Sequence, residues 1–179
     1  MNPNRKFSDD MLPPEFILQN FDIQNCSKIV DAACGSGYMA KAFAQKLSEK
    51  DANIYALDID PLYIGYLEEE ELSQNLQPVL CDMSKRTPFE DESIDLLYIS
   101  GAYHIFNKKQ EKGFDNEVKR ILKPKGRLVV VNFKKIQTSF GPSLHIRSTP
   151  QELEEKISLT PLKLIDLTRY FYMYIFQKD

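Results

Sequence analysis

The chain has 179 residues, enough for one domain with a sizeable core, and its 42% hydrophobic and 27% charged residues are those of a soluble globular protein. With 23 basic against 26 acidic residues the net charge is −3, which gives no electrostatic footprint for nucleic acid or an anionic membrane. Three cysteines without C-x-x-C spacing (Cys26, Cys34, Cys81) and two isolated histidines (His104, His145) argue against a disulfide framework and against any metal site.

Met1-Asn2-Pro3-Asn4-Arg5-Lys6 leads into no apolar stretch of the kind a signal peptide needs. No apolar run approaches the roughly 18 residues that span a bilayer. The expectation is a cytoplasmic protein, residues 1–179 forming a single domain with 1–26 as its N-terminal lead-in. Its partner would be a small-molecule substrate, with no nucleic acid and no membrane, and the chain would act as a monomer or homodimer. The clusters Lys108-Lys109, Lys123/Lys125 and Lys134-Lys135 are short and interleaved with acids, and read as solvated surface.

Short β-branched and apolar runs alternate with helical patterns, which predicts an α/β fold: a Rossmann-like doubly wound sheet, mostly parallel, in a three-layer α/β/α stack. The first strand falls at Lys28 to Ala32. After Gly35-Ser36-Gly37, the i, i+4 recurrence of Met39, Phe43 and Leu47 marks a helix ending near Glu49. Asn53 to Asp58 is the second strand. Asp58-Ile59-Asp60-Pro61 then supplies a capping signal with proline at the first helical position, opening a helix to about Leu72.

Gln77 to Cys81 is predicted as the third strand and Asp82 to Glu92 as a loop. Ile94 to Ser100 is the fourth strand, apolar as a buried parallel strand should be. Asp115 to Leu122 reads as a helix stopped by Lys123-Pro124-Lys125-Gly126. Arg127 to Phe133 is the fifth strand, and Pro150 to Ile157 a short helix capped by Ser148 or Thr149. The tail from Leu162 to Phe176 is strand-forming with no helix between its halves. It predicts an antiparallel hairpin that closes the sheet and turns at Thr168-Arg169.

The first strand feeds Gly35-Ser36-Gly37-Tyr38-Met39-Ala40, a G-x-G-x-x-G/A match between strand and helix. Glycines suit that turn because the backbone bends sharply and a ligand approaches where a Cβ would stand. Asp58 closes the second strand 21 residues after Gly37, where a carboxylate can accept both hydroxyls of a ribose. Asp82 closes the third strand beside it and can take the exocyclic amine of adenine, with Ile59 and Met83 on the two ring faces. Ligands of open α/β sheets bind beyond the carboxyl ends of the strands, so these three strand ends converge on one crevice.

Ile29-Val30-Asp31-Ala32-Ala33-Cys34-Gly35-Ser36-Gly37 resembles the first motif of the class I S-adenosylmethionine-dependent methyltransferases: two apolar residues, an acid, then glycines at alternate positions. Tyr55-Ala56-Leu57-Asp58-Ile59-Asp60 is similar to the second motif, and Cys81-Asp82-Met83 with Pro88-Phe89 to the third. Ser93-Ile94-Asp95-Leu96-Leu97-Tyr98 resembles the fourth-strand motif. Glu117 to Leu128 resembles the helix and turn before strand five. The likeness runs in order over about residues 12 to 133, and Leu12 to Leu18 resembles the N-terminal helix of small stand-alone members. One departure is Ala33, where the family usually has glycine.

The resemblance implies S-adenosylmethionine as cofactor and transfer of its methyl group to a small-molecule acceptor by in-line displacement at the sulfonium. It implies that Asp31 orients the methionine amino group through the loop or a water. The backbone of Ala33, Gly35 and Gly37 would line the methionine and ribose. Asp58 would hold the ribose hydroxyls, Ile59 and Met83 the adenine faces, Asp82 its amine, and Ser100 and Gly101 would flank the reacting methyl.

Plainer readings stand beside these. Asp58 also fits an N-cap, Asp82 a turn residue, and Cys34 a small filler rather than a nucleophile. Tyr103 and His104 follow the fourth strand on the acceptor edge. His104 is the candidate general base and Tyr103 shapes the pocket, or both simply start a helix. His145 and Arg147 lie in a 16-residue stretch, Lys134 to Thr149, read either as a solvated loop or as a binding loop. Two other functions fit parts of the pattern: a nicotinamide-dependent (NAD(P)-binding) oxidoreductase, and a non-catalytic cofactor-binding subunit of a methyltransferase.

Overall fold

The structure, a computed structural model, describes residues 11–179, so the reading of Met1 to Lys6 and the first part of the lead-in lie outside the described residues. Among the described residues seven strands form one sheet: β1 (Lys28–Ala32), β2 (Asn53–Asp58), β3 (Leu76–Leu80), β4 (Ile94–Ser100), β5 (Leu122–Phe133), β6 (Thr160–Asp166) and β7 (Phe171–Gln177). Their order is β3-β2-β1-β4-β5-β7-β6. The first five run parallel, with Val30 opposite Tyr55 and Leu97 and with Tyr98 opposite Val129. β7 lies antiparallel to both β5 and β6. The mostly parallel sheet closed by an antiparallel hairpin is therefore as expected, and the turn falls at the expected place. There the Thr168 hydroxyl accepts from the backbone N–H groups of Tyr170 and Phe171 at 3.1 and 3.2 Å.

Helices cover both faces because the central strands are apolar on both sides. α1 (Pro14–Leu18), α2 (Tyr38–Lys46) and α3 (Pro61–Glu69) bury Ile17, Phe43 and Leu67 in one core with Ile29, Ile54 and Val129. α4 (Lys108–Ile121) and α5 (Pro150–Glu154) bury Phe114, Val118 and Leu153 on the opposite face with Val30, Leu97 and Val130. Each large apolar side chain so buried contributes about 1.5–3 kcal/mol.

Several boundaries need correction. α4 begins at Lys108, seven residues before the expected Asp115. Its start is set by Asn107, whose side chain accepts from Lys109 and Gln110 N–H while Gln110 Oε1 accepts from Asn107 N–H. That is an asparagine–glutamine form of the capping box. β5 begins at Leu122, not Arg127, because the Lys123–Gly126 segment bulges between pairings with Ile94 and Leu96 instead of leaving the sheet. α2, α3 and α5 each end three residues early, at Lys46, Glu69 and Glu154, and β3 is shifted by one residue to Leu76–Leu80. Thr149, not Ser148, caps α5 in a box with Glu152.

Candidate active site

At the carboxyl edge of β1 the chain turns through Ala33, Gly35 and Gly37, all with positive φ (54°, 55° and 70°). Gly35 and Gly37 adopt this at little cost, whereas a left-handed alanine costs about 1–2 kcal/mol. Asp31 is buried, and its Oδ2 accepts a 2.9 Å hydrogen bond from Ala40 N–H in the first turn of α2. The acid therefore ties the loop to the helix it feeds.

Asp58, also buried, sits at the end of β2. Its Oδ2 accepts from Gly35 N–H at 2.8 Å and its Oδ1 from Asp60 N–H at 3.0 Å. The N-cap of α3 is Asp60, whose Oδ1 accepts from Leu62 N–H at 2.9 Å, so the capping role read for Asp58 belongs two residues later. The strand-two carboxylate instead faces the glycine loop. Each of its oxygens keeps a lone pair beyond the backbone bond it accepts.

Asp82 follows β3. Its Oδ1 accepts from both the N–H and the hydroxyl of Ser84, at 2.9 and 2.7 Å, and its Oδ2 pairs with Lys85 at 3.1 Å. Burial works to raise its pKa, but the Ser84 bonds and Lys85 outweigh burial and hold the carboxyl below its ordinary value. It is thus an ionised acceptor at neutral pH and a turn residue at once.

Ala33, Ile59, Asp82 and Met83 come together on a single cleft of about 100 Å³, closed by Ala32, Cys81, Ile99, Ile105, Phe106 and Gln110. Met83 is buried, whereas Ile59 is exposed at the rim. The walls are apolar and one carboxylate stands at the edge, a slot suited to a flat heteroaromatic ring with an exocyclic amine. Ile105, Phe106 and Gln110 were not anticipated from the sequence. Their signal was the Asn107–Gln110 capping box, which marks where α4 begins and so places a turn over the cleft. Burial raises the Cys81 thiol pKa, with Asp82 adding to it, and keeps the thiol protonated.

The loop carrying Asp82 and Met83 is clamped from behind. Glu117 Oε1 accepts from Thr87 N–H and hydroxyl at 2.7 and 2.6 Å and pairs with Arg120 at 2.5 Å. Arg120 also donates to Phe89 O and to Asp91, at 2.8 and 2.6 Å. Burial opposes ionisation of Glu117, yet Arg120 and Thr87 prevail and lower its pKa.

On the neighbouring edge, β4 ends in Ser100, and Gly101 turns with φ 61°, donating to Val131 O at 3.1 Å. A one-turn 3-10 helix, Tyr103–Ile105, follows and packs on β5. Tyr103 is fully buried against Phe106 and Phe114, and His104 is half-buried beside it. Ser100, Gly101, Tyr103 and His104 stand at and past the end of β4, and none of them lines the ring-shaped slot. The Lys134–Thr149 stretch is ordered by Arg147, a buried residue whose five N–H donors reach the carbonyls of Lys134, Ile136, Phe140 and Pro142 and the Thr138 hydroxyl. Neither reading made for Arg147 holds, because its guanidinium is neither solvated nor available to a ligand. His145 is exposed.

A family model described as "methyltransferase domain" matches residues 29–126, more than half of the chain. The chain belongs to the methyltransferase-domain family. This methyltransferase-domain protein is 28% identical over 123 residues to the ubiquinone/menaquinone biosynthesis C-methyltransferase UbiE of Paraburkholderia phymatum, a match covering 68% of this chain and 49% of that protein. It therefore spans about half the length of the curated relatives it matches. A SAM-dependent methyltransferase from Aquifex aeolicus superposes with a TM-score of 0.80 at 18% identity, over 98% of this chain and 95% of that one. The 4+2 cyclase SpnF also shares the fold, with a TM-score of 0.74 at 13% identity, over 96% of this chain and 80% of that one. The fold by itself thus does not fix the reaction; the residues of the site do.

Proposed function

We propose that this protein is an S-adenosylmethionine-dependent methyltransferase acting on a small-molecule acceptor. The observation that carries the reading is the meeting of Asp58 with the glycine loop. A buried strand-two carboxylate bonded to Gly35 N–H stands directly against the turn that would receive the methionine portion, which supports a role for it in accepting from ribose hydroxyls. The slot beside it, apolar with Asp82 at its edge, fits adenine. The antiparallel β7, inserted between β5 and β6, departs from the all-parallel dinucleotide-binding sheet and, with the family assignment, weighs against a nicotinamide-dependent enzyme.

When bound, the cofactor supplies a methyl group already activated on a sulfonium, for in-line displacement by the acceptor. The protein's part is alignment and exclusion of water. Asp58 holds the ribose hydroxyls, Ile59 and Met83 flank the adenine, and Asp82 accepts from its amine. The backbone of Ala33, Gly35 and Gly37 lines the methionine and ribose, and Asp31 acts through the loop by anchoring Ala40. Ser100 and Gly101 flank the reacting methyl. His104 takes the acceptor's proton where the acceptor is protonated, and Tyr103 shapes the acceptor wall.

Among the described residues no helix is long and apolar enough to cross a membrane. The three cysteines are thiols, which accords with a reducing cytoplasm as the place of action. The net charge of −3 accords with a small-molecule substrate rather than nucleic acid, for a monomer or homodimer.

Calorimetry with S-adenosylhomocysteine tests the reading. The wild type binds it and does not bind NADH, and Asp58→Ala weakens binding by about 100-fold, the loss expected for hydrogen bonds from two hydroxyls to a charged acceptor. Unchanged affinity in that variant overturns the ribose placement. Tight cofactor binding without methylation of any small thiol, amine or hydroxyl acceptor favours a non-catalytic subunit instead.

A further inference from the structure

Three buried polar side chains meet where β4, β5 and β7 end. Asn132 lies opposite Tyr172 across the β5–β7 pairing, and the two residues are each 2% exposed. Tyr103, 1% exposed, reaches the same end of the sheet from the 3-10 turn that packs on β5. The Tyr172 hydroxyl donates its single proton to Ser148 O at 3.0 Å. It can therefore only accept from Asn132, and Asn132 Nδ2 is the atom that approaches it, at 3.5 Å. This fixes the amide orientation and turns Asn132 Oδ1 away from Tyr172.

Two atoms of the group are left over. Tyr103 Oη and Asn132 Oδ1 are fully buried and have no hydrogen-bond partner among the described residues. Buried polar atoms in this condition are uncommon in native proteins, and each one calls for an explanation. Tyr103 follows β4 and Asn132 is next to the last residue of β5, so both belong to the end of the sheet expected to receive the acceptor, and neither lines the adenine slot. Burial raises the Tyr103 pKa well above the ordinary tyrosine range, with Glu111, Asp115 and Tyr172 adding to it, so its oxygen keeps its proton and offers a donor. The Asn132 carbonyl offers an acceptor only.

We propose that Tyr103 and Asn132 form a recognition pair for an uncharged hydroxyl, phenolic or alcoholic, on the methyl acceptor. A hydroxyl accepts from Tyr103 and donates to Asn132 through one oxygen. A carboxylate or phosphate has no proton for Asn132, and an ammonium has no lone pair for Tyr103. Either ion would also lose its hydration in a wall otherwise built of Phe106, Phe114 and Tyr172. The proposal rests on the methyltransferase reading above, because that reading places the acceptor on this edge.

The test uses the full chain saturated with S-adenosylhomocysteine and three probes of similar size, 4-methylphenol, p-xylene and 4-methylbenzoate, followed by ligand-observed NMR titration. The phenol binds at least tenfold more tightly than the xylene, and the benzoate more weakly than the phenol. Tyr103→Phe and Asn132→Leu each abolish the phenol's advantage while leaving xylene binding and S-adenosylhomocysteine affinity in place. Tyr103→Phe also leaves the Tm equal or higher, since it removes a buried hydroxyl that the fold itself does not bond.

Equal binding of phenol and xylene, no binding of the phenol at millimolar concentration, or a phenol preference that survives both variants overturns the proposal. So does a lower Tm in Tyr103→Phe, which assigns the two atoms to a trapped structural water. Failure of the wild type to bind S-adenosylhomocysteine refutes the cofactor reading, and this control is scored separately from the probes.

Discussion

The two edges of the site treat their polar groups in opposite ways. On the edge formed by β1, β2 and β3, every acid expected to serve the cofactor is already bonded to the chain: Asp31 to Ala40, Asp58 to Gly35 and Asp60, Asp82 to Ser84 and Lys85. On the edge formed by β4, β5 and β7, Tyr103 and Asn132 keep buried polar atoms that the fold does not bond. The first edge is preorganised, since its carboxylates shape the loops before any ligand arrives and retain lone pairs for it. The second edge carries an unmet polar demand, and on the reading proposed above it would set selectivity between acceptors, because leaving such atoms unpaired penalises the wrong ligand.

The comparison breaks most severely if the clamp behind the cofactor edge is removed. Glu117→Ala strips a buried carboxylate from Arg120 and Thr87, and breaking a buried pair by deleting one partner costs about 3–5 kcal/mol. Thermal unfolding should fall by about 10 °C, at roughly 2–4 °C per kcal/mol for a chain of this size. The acid limb follows the same group. The folded-state pKa of Glu117 is lowered, so its contribution is complete above the unfolded carboxylate value and is lost as pH falls through the folded one. Wild-type stability therefore drops more steeply than that of Glu117→Gln as the solution is acidified below the ordinary glutamate range. Parallel curves for the two proteins would remove Glu117 from the clamp.

A smaller perturbation tests whether the clamp matters to the ligand as well as to the fold. Gly113 lies in α4 where the helix crosses the Asp82–Ser84 turn, and a Cβ there would stand 2.1 Å from Ser84 O. The neighbour is backbone and cannot rotate aside, so Gly113→Ala has to push the turn away. Overpacking of this kind costs about 1–3 kcal/mol. Because Ser84 holds Asp82 in place, S-adenosylhomocysteine affinity should fall together with Tm. A drop in Tm with affinity unchanged would show that Asp82 does not depend on the turn for its position.

Much of the cofactor edge was legible in the sequence because its signals are local. Asp58 ends a short, largely apolar strand, Asp82 follows the next strand within two residues, and Gly35 and Gly37 punctuate a strand-to-helix turn. β1, β2 and β4 fall where the pattern put them. The failures occurred where long-range contacts decide. α4 gains its first two turns from a capping box that uses asparagine and glutamine, and its lysine-rich start, Lys108 to Lys112, shows little apolar periodicity. β5 passes through Lys123-Pro124-Lys125-Gly126 because a bulge lets the strand continue past residues that ordinarily end an element. The role of Arg147 was invisible because five acceptors from one irregular loop converge on it only after folding. The Tyr103–Asn132 pair was legible only in part: the place of Tyr103 on the acceptor edge could be read, but not that Asn132, 29 positions on, would also bury a polar atom the fold leaves unbonded.

The smallest effect concerns the loop of the cofactor edge itself. Ala33 occupies a left-handed conformation at φ 54°, which glycine adopts at little cost. Replacing it by glycine relieves about 1–2 kcal/mol of backbone strain. Against this stands the greater freedom that glycine gives the unfolded chain, about 0.4–1 kcal/mol. The balance favours Ala33→Gly by about 0.5 kcal/mol, a rise in Tm of roughly 1–2 °C. The same methyl group lines the adenine-shaped cleft, and loss of one buried methyl contact, at most about 0.8 kcal/mol, weakens S-adenosylhomocysteine binding by up to fourfold. Stability and affinity should therefore move in opposite directions in one variant. That pairing is the signature of a preorganised edge in which Ala33 accepts backbone strain for a better ligand surface. If both rise together, the methyl group serves neither the fold nor the ligand, and the contrast between the two edges does not extend to this loop.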